Sequence, residues 1–221
     1  MKYDTLIFDL DGTLLVSLDD IIDAVNDALK DCGYSIRYNL DNGRKLIGSG
    51  ALILATRAFA PVNGTKEEFD RFNDRFLYYY KAYQGRKTKP FDGLPEVLRS
   101  LKEEGIRLFV ASNKPDHLLQ IIIKETYGDG IFEAVSGQKP GYPVKPDPRL
   151  LNEIVEEYNL DKSKCLYVGD SRIDVEFAHN AGIESMLCKY GYDFYTDELL
   201  SLTDYSCESV NDLYEQVKGL N

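Results

Sequence analysis

The run KCLYVG (residues 164–169) has no charged side chain after its first residue and reads as continuously apolar. A strand that is apolar at consecutive positions has two faces to bury. Sheets buried on both faces are the parallel kind, in which crossover helices cover the strands from either side. The neighbouring sequence follows that pattern. Residues 94–105 carry apolar side chains at helical spacing and close on Gly105, a residue suited to a helix terminus. Residues 106–112 (IRLFVAS) then predict a strand, 117–128 a helix and 131–137 a strand. Residues 148–160 predict a helix with Pro148 in its first turn, 175–182 another ending on glycine, and 183–188 a strand. The expected fold class is α/β, a Rossmann-like parallel sheet with helices on both faces.

Residues 16–88 break the alternation. Ile21, Ile22, Val25, Ala28, Leu29 and Cys32 recur at helical spacing within 18–33. The stretches 43–60 and 66–83 also predict helices, and no strand signal separates them. An all-helical block set between the first strand and the rest predicts an inserted domain: a core of 1–15 and 89–221, and a helical cap of 16–88.

The first strand poses a chemical question. In LIFDLDGTLL (6–15), two aspartates one residue apart stand where an apolar strand ends and Gly12-Thr13 breaks it. Carboxylates this close raise each other's pKa unless a cation lies between them. A metal site that does chemistry is one answer, and an acidic turn is the other. The remaining polar residues bear on the choice, because ligands of open parallel sheets bind beyond the carboxyl ends of the strands. The second strand ends in Ser112-Asn113-Lys114-Pro115. The KCLYVG strand runs into Asp170, with Asp174 four residues on. Lys145 sits in the proline-stiffened segment Val144-Lys145-Pro146-Asp147-Pro148, before a helix.

In this order and strand context the residues resemble the haloacid dehalogenase superfamily, whose members are mostly phosphatases. The resemblance covers nearly the whole chain. It rests on Asp9-Leu-Asp11-Gly-Thr13, Ser112-Asn113, Lys145, and Gly169-Asp170 with Asp174. The stretches FDGLPEVLRSLKEEGIRLFVASNKP and VKPDP look like the phosphoglycolate phosphatase branch. The resemblance implies that Asp9 is a nucleophile forming an aspartyl-phosphate and that Asp11 is general acid and base. It further implies Mg2+ on the carboxylates of Asp9 and Asp170 and the carbonyl of Asp11, an oxygen-only set that suits a hard ion. Ser112, the amide of Asn113 and Lys145 are expected to hold phosphoryl oxygens, with Gly12 and Thr13 in support. Asp174 is expected to orient Lys145 or a metal-bound water. In the cap, Arg44, Lys45 and Gly48 are expected to face the substrate. Val16 stands where relatives commonly carry an acid, at the cap entrance, so phosphoglycolate itself does not follow from the resemblance.

Composition narrows the partners. A formal net charge of -11 argues against a nucleic-acid backbone or an anionic membrane surface, but not against a small phosphorylated metabolite held by a local cation and one lysine. No stretch approaches the roughly 18 apolar residues of a membrane span, and no secretory signal is visible. Cys32, Cys165, Cys188 and Cys207 form no CxxC pair. A reduced, cytoplasmic setting is expected. His117 and His179 have no vacant role in the implied chemistry. The rival readings are a phosphomutase of the β-phosphoglucomutase type, a pyrophosphatase, and a phospho-ligand-binding regulatory protein without turnover.

Overall fold

The computed structural model describes residues 2–221. The chain forms two compact units, Met1–Leu15 with Pro90–Asn221, and Val16–Lys89. In chain order, β1 (Thr5–Phe8) is followed by the short β2 (Leu15–Val16). The second unit then holds α1 (Leu18–Asp31), α2 (Leu40–Gly43), α3 (Ala51–Phe59) and α4 (Lys66–Tyr83). The chain continues through β3 (Lys89–Pro90), α5 (Leu94–Glu103), β4 (Arg107–Pro115), α6 (Asp116–Tyr127) and β5 (Ala134–Gln138). It closes with α7 (Arg149–Glu157), β6 (Cys165–Gly169), α8 (Arg172–Asn180), β7 (Glu184–Cys188), α9 (Asp197–Leu202), β8 (Tyr205–Cys207) and α10 (Val210–Leu220).

Six strands form one parallel sheet in the order β5-β4-β1-β6-β7-β8. Strand period two sorts their side chains onto opposite faces. Leu6, Phe8, Leu108, Val110, Leu166 and Val168 share one cluster with α5, α6 and α10. Ile7, Phe109, Ala111, Cys165 and Tyr167 share the other with α7 and α8. The α/β class with helices on both faces is therefore what the chain forms. From β1 the chain passes outward to β4 and β5, then returns to β6 on the opposite side of β1. The carboxyl end of β1 is thus the topological switch point, where crevices open in such sheets.

The second unit is helical. In α4, Phe72, Phe76 and Tyr80 stack in series with centroids 6.3 and 5.3 Å apart. Thr65 and Glu68 close a capping box at its start. α1 and α4 are tied by Asp31, which accepts from Arg75 at 2.5 Å and from Tyr79 at 2.6 Å, and by Asp27, which accepts from Tyr83 at 2.8 Å. Asp20, on α1 and buried, accepts from the backbone N–H of Lys87 at 3.0 Å, and from the N–H and hydroxyl of Thr88 at 2.9 and 2.7 Å.

Three local expectations need correction. The helix expected over 43–60 is two pieces, α2 and α3, with irregular chain over 44–50; Gly48 and Gly50 adopt φ of 96° and 87°, outside helical geometry. The strand expected over 131–137 begins at Ala134. Residues 189–221, to which the sequence assigned no element, supply α9, the edge strand β8 and α10. Among the described residues no helix is long and apolar enough to cross a membrane.

Leu6 is fully buried at the centre of the sheet, whereas Leu52 on α3 is 61% exposed. Leu6→Ala is expected to lower unfolding free energy by about 2–5 kcal/mol, and Leu52→Ala to change it by less than about 0.5 kcal/mol. Urea unfolding followed by circular dichroism measures both.

Candidate active site

The turn after β1 carries the paired aspartates. Asp9 extends the strand, its N–H donating to Val168 O at 2.9 Å, and its side chain is buried. Residues 10–15 then fold back tightly: Leu10 O accepts from the N–H groups of Thr13, Leu14 and Leu15 at 3.2, 2.8 and 2.9 Å. Gly12 has φ of 89°, and a Cβ there would lie 2.2 Å from Asp170 Oδ2. Glycine is required twice over, for the turn and for the close approach of a carboxylate. Asp11, half-buried, stands inside this turn.

Lys145 is the hub. It is 3% exposed, and its Nζ lies 2.7 Å from Asp9 Oδ1 and 2.7 Å from Asp174 Oδ1. The ammonium also donates to the Tyr167 hydroxyl at 3.0 Å, and that hydroxyl donates in turn to Ala111 O at 2.7 Å. Burial alone would lower the lysine pKa, but Asp174 and Asp9 overcome it and hold the ammonium well above its ordinary value. Its backbone is fixed as well. The Lys145 N–H donates to Asn113 Oδ1 at 2.7 Å, and Asn113 Nδ2 donates back to Lys145 O at 3.4 Å. The Asn113 side chain thus grips the lysine segment from β4. Ser112, buried beside it in β4, accepts from Lys114 N–H at 3.4 Å.

Asp170 and Asp174 come from the end of β6 and the first turn of α8. Asp174 Oδ2 accepts from Ser171 Oγ at 2.6 Å and Ser171 N–H at 3.1 Å, the reciprocal half of a capping box. Its other oxygen holds Lys145. Asp170 Oδ2 accepts from Tyr192 N–H at 2.7 Å, and Thr13 Oγ1 lies 3.5 Å from Asp170 Oδ1. A Cβ on Gly191 would fall 2.5 Å from Asp170 Oδ2, so the carboxylate is cradled by two glycines.

Asp9, Asp170 and Asp174 each bring one carboxylate oxygen within 4.8 Å of the others, all three side chains being buried. Burial pushes the Asp9 carboxyl up to about 6, against the pull of Lys145. It pushes Asp170 well above the ordinary carboxylate range, aided by the charges of Asp174 and Asp9. Ionised together, three carboxylates and one ammonium leave two negative charges in a buried space. A divalent cation on oxygen ligands balances that charge. Asp174 has both oxygens engaged, whereas Asp9 Oδ1, close as it is to Lys145, makes no aligned hydrogen bond. Asp9 is therefore the carboxylate with an oxygen to spare.

Of the sequence candidates, Asp9, Asp11, Gly12, Thr13, Ser112, Asn113, Lys145, Asp170 and Asp174 all belong to the first unit. Arg44, Lys45 and Gly48 lie in the second, on the irregular 44–50 segment. That segment is held by Arg57, which donates to Leu46 O and Ile47 O at 3.2 Å each and to Ser49 Oγ at 3.0 Å. His117 is exposed, and His179 Nε2 lies 2.8 Å from Asp204. Sequence reasoning missed Tyr167 and Gly191. The first reads as one more apolar residue of β6, and the second lies in a stretch assigned to no element.

The family model for haloacid dehalogenase-like hydrolases matches residues 6–188. The chain is 32% identical over 199 residues to a phosphoglycolate phosphatase of Colwellia psychrerythraea, covering 88% of each protein. It is 32% identical over 221 residues to the phosphoglycolate phosphatase of Mannheimia succiniciproducens, covering 95% of this chain and 96% of that one. A crystal structure of a predicted phosphoglycolate phosphatase from Haemophilus somnus superposes with a TM-score of 0.89 at 28% identity, over 98% of this chain and 99% of the other. Matched in sequence across both strands that carry the buried aspartates, the chain belongs to the haloacid dehalogenase-like hydrolase family.

Proposed function

We propose that the protein is a Mg2+-dependent phosphatase that hydrolyses a small phosphomonoester through an aspartyl-phosphate on Asp9. The observation that carries this reading is Lys145 Nζ, 2.7 Å from both Asp9 and Asp174 at the switch point of the sheet, with Asp170 completing the buried acidic group. A bound cation would offset the charge with which such a site otherwise repels an anionic substrate. The curated relatives act on phosphoglycolate, by their names, so a small carboxylated phosphomonoester heads the substrate classes to test.

The residues divide the work as follows. Asp9 attacks phosphorus; its carboxylate oxygen forms the new bond as the bond from phosphorus to the leaving oxygen breaks. Asp11 gives that oxygen a proton, then takes one from the water that attacks the aspartyl-phosphate, releasing inorganic phosphate and restoring Asp9. Lys145, locked by Asp174 and Tyr167, presents fixed positive charge to the phosphoryl oxygens, with Ser112 beside it. Bound Mg2+, held by Asp9, Asp170 and the Asp11 carbonyl, would neutralise the carboxylates and polarise the phosphoryl group. A cytoplasmic setting is part of the same proposal, and the four free cysteines are in keeping with it.

Phosphate release from a panel of phosphomonoesters and pyrophosphate is expected to need Mg2+ and to drop by at least about a thousandfold in Asp9→Asn. Release that persists in that variant removes Asp9 as nucleophile. A requirement for a bisphosphate activator, with phosphate returned to a sugar, would mark a mutase instead.

The acidic group also makes stability depend on pH and cation. With its folded pKa near 6 and an ordinary value of 3.8, Asp9 keeps its proton in the folded state through a window in which the unfolded chain has lost it. Without cation, its contribution therefore destabilises the fold as pH rises through that window. Mg2+ favours the ionised carboxylates, so it should raise the melting temperature more at about pH 7 than at about pH 5. Melts with chelator and with Mg2+ test this, and equal shifts at both pH values would refute it.

A further inference from the structure

Three tyrosine hydroxyls converge on one short piece of backbone. Tyr190 donates to Thr13 O at 3.3 Å, Tyr127 to Leu14 O at 2.8 Å, and Tyr192 to Leu15 O at 3.3 Å. The three carbonyls are consecutive, they close the turn that holds Asp11, and their residues are fully buried. The donors come from separate places in the core: Tyr127 is the last residue of α6, and Tyr190 and Tyr192 follow β7. Each is itself held. Tyr190 packs edge-on against Phe91 at 4.8 Å, Tyr127 against Phe132 at 5.6 Å, and the backbone of Tyr192 binds Asp170.

The inner side of the turn is fixed by its own N–H groups, three of them on Leu10 O and that of Gly12 on Leu15 O at 3.0 Å. The phenols fix the outer side. Removing one of them leaves a buried carbonyl with one partner fewer, and the turn has freedom to shift. Burial raises the pKa of Tyr127 and of Tyr190, so both remain protonated donors across the working range.

We infer that Tyr127, Tyr190 and Tyr192 are positioning residues that aim the Asp11 carboxyl at the leaving oxygen of the substrate. The inference rests on the reading of Asp11 as the acid of the phosphoryl-transfer step. An acid displaced by a fraction of an ångström transfers its proton poorly, while a nucleophile on β1 is left in place. The loss is then selective. An alkoxide leaving group needs the proton as the bond from phosphorus to oxygen breaks, and a nitrophenolate leaves without it.

The test compares kcat/KM, which reports only steps up to phosphoenzyme formation, for p-nitrophenyl phosphate and for an unactivated alkyl phosphomonoester. Both are measured with Mg2+ on the full chain, its Tyr127→Phe, Tyr190→Phe and Tyr192→Phe variants, the triple variant and Asp11→Asn. Phenylalanine keeps each ring in its packing. The triple variant is expected to lose about 10- to 100-fold on the alkyl substrate and less than about threefold on the aryl one. Tyr127→Phe, which removes the shortest of the three bonds, carries the same comparison if the triple variant does not fold. Equal losses on both substrates in the tyrosine variants, with Asp11→Asn selective, overturn the inference and leave the role of Asp11 standing. Equal losses in Asp11→Asn sink that role and the inference with it.

Discussion

Everything at the carboxyl end of this sheet depends on one buried ammonium between two carboxylates. Lys145 has lost nearly all its water, and the attraction of Asp9 and Asp174 across 2.7 Å replaces it. Charge buried this deeply is costly unless every group around it is placed well. The surrounding structure shows that placement. Asn113 binds the lysine backbone, Tyr167 gives its ammonium a further acceptor, and Ser171 occupies the far oxygen of Asp174. Asn113 comes from β4 and Tyr167 from β6, on either side of β1, so those strands cannot shift independently without leaving part of the charge uncompensated.

The same arithmetic explains why the site calls for a cation. One lysine serves three carboxylates, and Asp170 has no ammonium among its hydrogen-bond partners. Its neighbours are the backbone of Tyr192 and the glycines at 12 and 191, which let the backbone come closer than any side chain would permit. Hydrolase family membership and the buried acidic group point to the same end of the same sheet.

Much of this was legible in the sequence because the informative signals are local. An aspartate directly after an apolar strand lies at that strand's carboxyl end, and Asp9 and Asp170 could be found that way. The partners of Lys145 were less visible. Asn113 is 32 residues away and Tyr167 is 22, and their pairing exists only once β4 and β6 have aligned on β1. Tyr167 was hidden by its own ring, which packs with the core and carries its hydroxyl to the strand end. The break at 44–50 was hidden for the opposite reason: apolar residues kept helical spacing across it, and two glycines at positive φ overrode the pattern. β8 has three residues, too few for period two to register.

Asp20 has a consequence for how such a chain can be assembled. Its carboxylate, on the first turn of α1, captures the backbone of residues 87 and 88, so the inserted segment begins and ends on the same side chain. The entropy of closing a loop grows only slowly with its length. A segment that ties its own ends together asks little of its host beyond two adjacent attachment points. The insertion is in this sense a cassette, whose length and side chains can change while β1 keeps its register.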